Sequence, residues 1–465
     1  MKRRTEIAPA DVIGRLRQHL LVDGYPIVLD LVKSTGCWLR DARTGVDYLD
    51  FFGCFASNAL GFNHPRMLDA RTRERLLRAA TTKVSNSDLY SVYMAEFVET
   101  LSRTCGTSEL PYYFFVDGGA LAVENAMKTA FDWKVRKNRQ HGRPDGGSQI
   151  LHFENAFHGR SGYTLSVTCT DPNKTDLFPR FDWPRIRPPV MQFPSSEERN
   201  RELVKSEEHA LANIERAFDC RPGEIAAILI EPIQGEGGDN HFRPEFLRGL
   251  RRIADAREAL LIFDEVQTGG GVTGKWWAYQ HFGIVPDIVC FSKRLQIGGI
   301  LVSRRVDEVE DHVFAKSGRI NSTWGGSLVD MVRATRTLEI IEEEGLLENA
   351  SVRGDQLQTG LKALQRGHDG LIDNVRGRGL MCAFDAPSRA ARDSIIARCF
   401  EQRLLVLPCG TRGVRFRPAL TVDSFGVEEC LTRLGRVLEA LLPKATPCAA
   451  PESYSSGLAP AQALG

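Results

Sequence analysis

An acid and an amine stand at the ends of two apolar runs. Leu260 to Phe263 delivers Asp264 and Glu265, and Ile288 to Phe291, after one serine, delivers Lys293. Short continuous apolar runs suit strands buried on both faces of a parallel sheet. Ligands of such sheets collect beyond the carboxyl ends of the strands, so Asp264 and Lys293 could face one pocket. The acid could hold a protonated group there, and the lysine could act as nucleophile or base. Without further support the pair reads more simply as a salt bridge or as two solvated loop residues.

Between them lies GGGVTGK, Gly269 to Lys275, which has the glycine and lysine spacing of a phosphate-binding P-loop. LLIFDE likewise resembles the acidic strand that supports magnesium in such proteins. Three details disfavour nucleotide hydrolysis. Trp276 stands where the metal needs a Ser or Thr hydroxyl. The acidic strand precedes the glycine loop and runs straight into it. The Trp276–Trp277 pair also leaves little room for a nucleotide-cradling helix start.

A second candidate is PYYFFVDGGALAVENAMK. Tyr112 to Val116 reads as a strand, Asp117-Gly118-Gly119 as a tight turn and Ala120 onward as an amphipathic helix. Free N–H groups and the positive end of the helix dipole would then point at an anion. Two glycines in an α/β turn also serve packing alone.

These residues need a large scaffold. A chain of 465 residues with 42% hydrophobic content predicts one large or two closely joined domains. Lys+Arg 60 against Asp+Glu 59 gives no global attraction to nucleic acid, which favours a small-molecule partner. The eleven cysteines are odd in number and form no CxxC pairs, so reduced thiols are expected rather than a disulfide framework or metal site. The amino terminus has no signal-peptide pattern, and no run approaches ~20 apolar residues; no membrane span is expected, and the cytoplasm is the expected location.

The elements read in order as follows. A helix is predicted at Asp11 to Leu21, then strand-like IVLDLVKS and CWLRD, a hairpin turn at Asp41 to Gly45, and a loop from Phe52 to Pro65. Helices follow near Met67 to Leu77 and Met94 to Arg103. Strands then alternate with helices through QILHFENAFHG, EIAAILIEPIQGEGG, LLIFDEVQTG, DIVCFSK and GILVSRR, which predicts an α/β fold with a doubly wound, mostly parallel sheet. Asp171 to Glu208, rich in proline and charge, reads as surface loop. Asp330 to Glu344 reads as one helix, and RGRGLMCAF and GVRFRPALTV as strands of a second, α+β domain. The expected divisions are 1–60, an N-terminal segment belonging to the smaller domain; 61–329, the large domain; 330–445, the smaller domain; and 446–465, a disordered Pro/Ala/Gly/Ser tail.

Several separated motifs now agree. DEVQTG with a strand-end lysine, HGR after an aromatic, EPIQGEGG and NSTWGG occur in family order and resemble the class III, or ω-, aminotransferases, which use pyridoxal phosphate. The likeness runs from about Val28 to Leu442. SNALGFNHP, SNSDLYS, EPIQGEGGDNHFRPEF and RINSTWGG draw it toward the bacterial L-lysine 6-aminotransferases. Ornithine and acetylornithine members differ in the run after the lysine and usually carry Arg where this chain has Val272.

The resemblance implies a fold-type I transferase, with a seven-stranded type of sheet in the large domain. It implies that Lys293 links covalently to the cofactor and then moves the proton between substrate carbon and cofactor. Asp264 would pair with the ring nitrogen, Gln267 would bond the phenolic oxygen, and Phe157, beside His158, would stack on the ring. Gly118, Gly119 and Ala120 would cradle the phosphate. Gly118 replaces the family's usual Ser and Leu121 a common Glu, so the phosphate would lean on backbone amides. Thr323 resembles a residue that reaches the phosphate across a dimer interface, which implies a homodimer with shared sites. Taken singly, Phe157 fits a core, Gln267 and Thr323 fit loops, and His158 fits a local hydrogen bond.

Two substrates must share the pocket. Arg160 resembles the family arginine for the distal carboxylate, here the α-carboxylate of lysine, and Asn321 of the NSTWGG motif is placed on the substrate side. Arg415 resembles the arginine for the α-carboxylate of glutamate. With lysine bound, Arg415 would face methylene groups, and a buried charge without a partner costs roughly 3–5 kcal/mol. Glu236 resembles the residue that neutralises it and swings aside for the second substrate. Arg417 is the nearest decoy and is expected at the surface.

The implied activity moves the ε-amino group of L-lysine to 2-oxoglutarate. The products would be L-glutamate and 2-aminoadipate 6-semialdehyde, which cyclises to a piperideine carboxylate. Lysine breakdown and β-lactam precursor supply both fit. Another ω-amine donor, such as ornithine or diaminobutyrate, stays open. A non-catalytic scaffold or regulator also stays open, although Lys293 and Asp264 count against it.

Overall fold

Seven strands form the central sheet, in the order Tyr112–Val116, Gly298–Val302, Ile288–Phe291, Leu260–Asp264, Ile225–Ile230, Gln149–Phe153 and Arg185–Ile186. The computed structural model describes residues 7–442, so the tail expected at 446–465 lies outside the described residues. All neighbouring strands run parallel except Gly298–Val302, which is antiparallel to both of its neighbours. Only a short turn joins it to Ile288–Phe291, whereas a parallel return needs a crossover of a dozen or more residues.

The strands Ile225–Ile230, Leu260–Asp264 and Ile288–Phe291 are buried along their whole length. Both faces are covered, which is why these segments read as unbroken apolar runs. Val123, Met127 and Trp133 of the helix Gly119–Gln140 pack with Ile262 and Ile288 on one side. Phe246 and Leu250 of the helix Pro244–Ala256 pack with Phe153 and Phe263 on the other.

Sheets of three and four strands stand apart from the central one, and the first joins distant parts of the chain. The predicted hairpin forms from Trp38–Arg40 and Asp47–Asp50, and Leu404–Leu405 adds to it as a parallel strand. Tyr25 Oη also donates to the Val406 carbonyl at 2.6 Å. A four-stranded antiparallel sheet holds Asp373–Arg378, Met381–Asp385, Gly413–Phe416 and Leu407–Cys409. RGRGLMCAF is therefore folded at Gly379, with φ +55°, into two strands rather than one.

Two sequence expectations need correction. The predicted helix at Asp11 to Leu21 shrinks to a 3-10 turn and Val12–Leu16, with no residue buried; so short a helix has little packing to sustain it. The stretch read as surface loop, Asp171 to Glu208, contains the first half of the helix Glu197–Asp219. Ser196 caps that helix and Glu197 and Glu198 favour its first turn, while its buried stripe of Leu203, Ala210, Ile214 and Phe218 is diluted by charge. The glycines of GGGVTGK serve packing: a Cβ on Gly271 would lie 2.8 Å from Leu347, and one on Gly274 2.0 Å from the Ser351 hydroxyl. Among the described residues no helix is long and apolar enough to cross a membrane, and no His/Cys/Asp/Glu cluster suits a metal.

Candidate active site

The parallel pairing of Leu260–Asp264 with Ile288–Phe291 sets Asp264 opposite Cys290, three positions before Lys293. Both side chains therefore leave adjacent strands at the same edge of the sheet. Asp264 is buried, and its Oδ2 lies 2.7 Å from His158 Nδ1, while the Val266 N–H donates to Oδ1 at 3.0 Å. His158 is fully covered and its Nε2 has no partner among the described residues. Lys293 itself has φ +44°, a conformation that costs a non-glycine residue on the order of 1–3 kcal/mol and must be held by its surroundings. Gln296 holds it, donating from Nε2 to Ser57 O at 2.8 Å and to Lys293 O at 3.2 Å. Burial, and then the charges of Arg415 and Arg417, lower the Lys293 amine to about 8 against the opposing pull of Asp264 and Glu236. A lysine near neutrality can act as nucleophile and base.

Gly118, with φ +92°, precedes the 22-residue helix Gly119–Gln140 and supplies no side-chain cap. The first N–H groups of that helix are left for an anion. A cavity of about 430 Å³ lies between this turn and Lys293, lined also by Ser57, Ser292 and Gln296. Two glycines permit the close approach. A Cβ on Gly298 would meet the Gly118 carbonyl oxygen at 2.5 Å, and one on Gly159 would meet Ala120 Cβ at 2.7 Å. The returning strand and the HGR loop thus both touch the start of the helix.

Glu231 went unnoticed in the sequence although a charge closing the apolar strand Ile225–Ile230 was its signal. Its buried carboxylate accepts the N–H groups of Phe157 and Gly235, each at 2.9 Å, and so ties the aromatic to the QGEGG turn. Burial raises it to about 7; His158 opposes the rise and Asp264 adds to it. Glu265, beside Asp264, has a different task. It accepts from the Thr268 hydroxyl and the N–H groups of Ala278 and Tyr279, which fixes the glycine-rich segment.

The arginines form a second cluster. Arg415 is buried, and its guanidinium donates to Glu236 Oε2 at 2.5 Å and to Gln267 Oε1 at 3.1 Å. Arg417 is not at the surface as expected: two residues further along the same extended segment, it faces the same way as Arg415. It is fully buried on Asp239 at 2.5 Å and on Gln267 Oε1 at 3.0 Å. Gln267 thus turns its carbonyl oxygen to both arginines, leaving its NH2 group as a donor. Gly235 makes room, since a Cβ there would lie 2.4 Å from Gln267 Oε1. Glu236 carries a further partner that sequence reasoning missed, Lys174 at 2.6 Å from Oε1. Burial alone would raise the Glu236 carboxyl, but Arg415 and Lys174 bring it down to about 2.

The site thus gathers Lys293, Asp264, His158, Phe157, Gln267, Glu236, Arg415 and the Gly118–Ala120 turn. Arg160, Asn321 and Thr323 are exposed and stand outside that set of contacts. The loop bearing Asn321 and Thr323 is nevertheless firmly held: Ser87 Oγ donates to Ser322 O at 2.7 Å, Asn86 Nδ2 to Gly326 O at 2.8 Å, and Lys83 Nζ sits 3.5 Å from the Trp324 ring centroid.

A strained turn borders the site. Gly53, Cys54, Phe55 and Ala56 all have positive φ, and the Asp50 carboxylate accepts the N–H groups of Phe52 and Gly53 to hold them. A Cβ on Gly53 would overlap the Arg417 carbonyl oxygen at 1.9 Å, so only glycine lets this turn press against the arginine strand.

Comparison with known proteins agrees with the geometry. Residues 22–438 match the family model for aminotransferase class III. The L-lysine-epsilon aminotransferase of Mycobacterium tuberculosis is 52% identical over 430 residues, covering 92% of this chain and 94% of its own. That of Amycolatopsis lactamdurans is 51% identical over 433 residues, covering 92% and 95%. A solved structure of lysine aminotransferase from M. tuberculosis superposes with a TM-score of 0.92 at 51% identity, covering 94% of this chain and all of the other. The chain belongs to the class III aminotransferases, a pyridoxal-phosphate-dependent family of fold-type I. Its residues fit that cofactor: a low-pKa lysine, a buried acid beside an unpartnered imidazole nitrogen, and an uncapped helix start open where a side chain would otherwise sit.

Proposed function

We propose that this class III aminotransferase transfers the ε-amino group of L-lysine to 2-oxoglutarate, forming 2-aminoadipate 6-semialdehyde, which cyclises, and L-glutamate. The observation that carries the reading is the 2.5 Å pair between buried Arg415 and Glu236, set among relatives that act on lysine. An arginine that is neutralised by a neighbour, yet placed for a carboxylate, suits a pocket that must accept an alkyl chain first and a dicarboxylate second.

Pyridoxal phosphate, when bound, supplies the aldehyde that takes up the amine and the electron-accepting ring that makes the adjacent C–H bond acidic. The protein does the rest. Gly118, Gly119 and Ala120 offer N–H groups to the phosphate, Phe157 flanks the ring, and Asp264, oriented by His158, keeps the ring nitrogen protonated. Gln267 offers its free NH2 to the ring hydroxyl. Lys293, neutral at moderately alkaline pH, takes the proton from Cε of the substrate and returns it on the cofactor side. Arg160 binds the α-carboxylate of lysine, with Asn321 on the substrate side. Arg415 binds the α-carboxylate of glutamate once Glu236 turns away. Thr323 serves the phosphate of a second copy, so the working unit is a homodimer. In this reading the described residues within 1–60 and 330–445 form the smaller domain that brings Arg415 to the large domain 61–329.

The test is a half-reaction screen: cofactor-loaded protein is mixed with single amine donors and its visible absorbance followed. L-lysine should bleach the band faster than ornithine, diaminobutyrate or 4-aminobutyrate, with the cyclised product trapped afterwards. A preference for ornithine would replace the lysine assignment.

A further inference from the structure

Glu236 is held at both ends. One carboxylate oxygen meets Arg415 at 2.5 Å, and the other meets Lys174 Nζ at 2.6 Å. Arg415 comes from the strand Gly413–Phe416, whereas Lys174 ends the single turn Pro172–Lys174, which Asp171 fixes by accepting the Asn173 N–H at 3.0 Å. The Lys174 side chain is 16% exposed and that of Glu236 26%. Lys174 Nζ also lies 5.3 Å from the Phe157 ring centroid and 3.4 Å from the Thr170 hydroxyl. Its ammonium is therefore anchored beside the aromatic, independently of Arg415.

We propose that Lys174 is a specificity-determining positioning residue: the second anchor on which Glu236 rests while Arg415 binds the carboxylate of the dicarboxylate substrate. The inference rests on the gating reading of Glu236 and adds the place to which the gate moves.

Charge balance supplies the reason. Arg415, Glu236 and Lys174 together carry one net positive charge. When a substrate carboxylate joins them the group becomes neutral. Without Lys174 the same step would leave two carboxylates around one arginine in a largely buried site, and like charges so close repel strongly. Glu236 would then have to take up a proton or stay on Arg415 and compete with the substrate. With Lys174 present, Glu236 releases one ion pair and keeps the other. No such demand arises with lysine, whose methylene groups need only Arg415 to remain covered by Glu236.

The test uses the cofactor-loaded enzyme with Lys174→Met and Lys174→Arg, each checked by thermal unfolding. Binding of glutarate, a dicarboxylate with no keto or amino group to react, is measured by calorimetry, and both half-reactions are followed by absorbance. Lys174→Met should weaken glutarate by about tenfold and slow the glutamate half-reaction far more than the lysine half-reaction, while Lys174→Arg restores both. In a Glu236→Gln background, which has no carboxylate to anchor, Lys174→Met should lose its effect on glutarate. An effect that persists there would mean that Lys174 touches the dicarboxylate directly, and would overturn the proposal. If Glu236→Gln slows lysine selectively yet Lys174→Met leaves glutarate binding unchanged, the gate stands and the anchor falls. If Glu236→Gln slows both half-reactions equally, gate and anchor fall together.

Discussion

Asp264 and Lys293 are brought side by side by strand register: Cys290 pairs with Asp264, and three residues later the chain presents the lysine in a left-handed conformation. An acid and an amine thus emerge from neighbouring strands, and the Gly118 turn lines the cavity beside Lys293.

This placement predicts the titration of Lys293. In the cofactor-free protein the amine should titrate near 8. Arg415→Met removes a like charge, favours the protonated form and so raises that value. The pH dependence of Lys293 acylation, read by peptide mass spectrometry, measures it. The stability sign follows from the same depression. The folded chain pays in full for protonating Lys293 below about 8, and the penalty is relieved as pH rises from there toward the ordinary value of 10.5. Lys293→Ala should bind cofactor without a covalent link and complete no transamination; full turnover in that variant would remove Lys293 from its role.

Glu236→Ala removes the partner of Arg415, which in the proposed function would then face the lysine methylenes unpaired. Because Glu236 is partly exposed, the full cost of a buried unpaired charge is not expected, and the lysine half-reaction should slow by roughly 10–100-fold. The glutamate half-reaction should fall much less. Rapid-mixing absorbance with each amino acid separates the two.

Glu231→Ala strands the N–H groups of Phe157 and Gly235 in a buried site. Each unsatisfied donor costs about 1–3 kcal/mol. Chemical unfolding should show a loss in that range or above, and cofactor affinity should drop as Phe157 loses its tether. An unchanged unfolding midpoint would show that water replaces the carboxylate.

Gly298→Ala drives a methyl group into the Gly118 carbonyl. Over-packing of this kind costs about 1–3 kcal/mol, and here it displaces the turn assigned to the phosphate. Cofactor dissociation, followed by fluorescence, should accelerate more than stability falls.

The parallel sheet was legible because its strands are covered on both faces and therefore read as apolar runs. The same reading could not see that Gly298–Val302 turns back, a matter of connection length rather than composition. Arg417 was misplaced for another reason. An arginine looks like surface until its partner is known, and Asp239 and Gln267 lie 178 and 150 positions away in sequence. Lys174 was hidden for the same cause, standing in a stretch whose prolines and charges read as loop. Glu231 could have been found, since a carboxylate closing a fully apolar strand needs a buried donor.

The pairing of Leu404–Leu405 with Asp47–Asp50 has a bearing on how the molecule is made. Tyr25 and Val406, joined by a hydrogen bond beside the same sheet, are 381 positions apart, and at a typical elongation rate the ribosome needs on the order of half a minute to travel that far. Throughout that interval the hairpin Trp38–Arg40/Asp47–Asp50 must wait with an open edge, while the parallel sheet can already assemble behind it. The hairpin is thus among the last elements to complete its pairing, although it is made long before the strand that completes it.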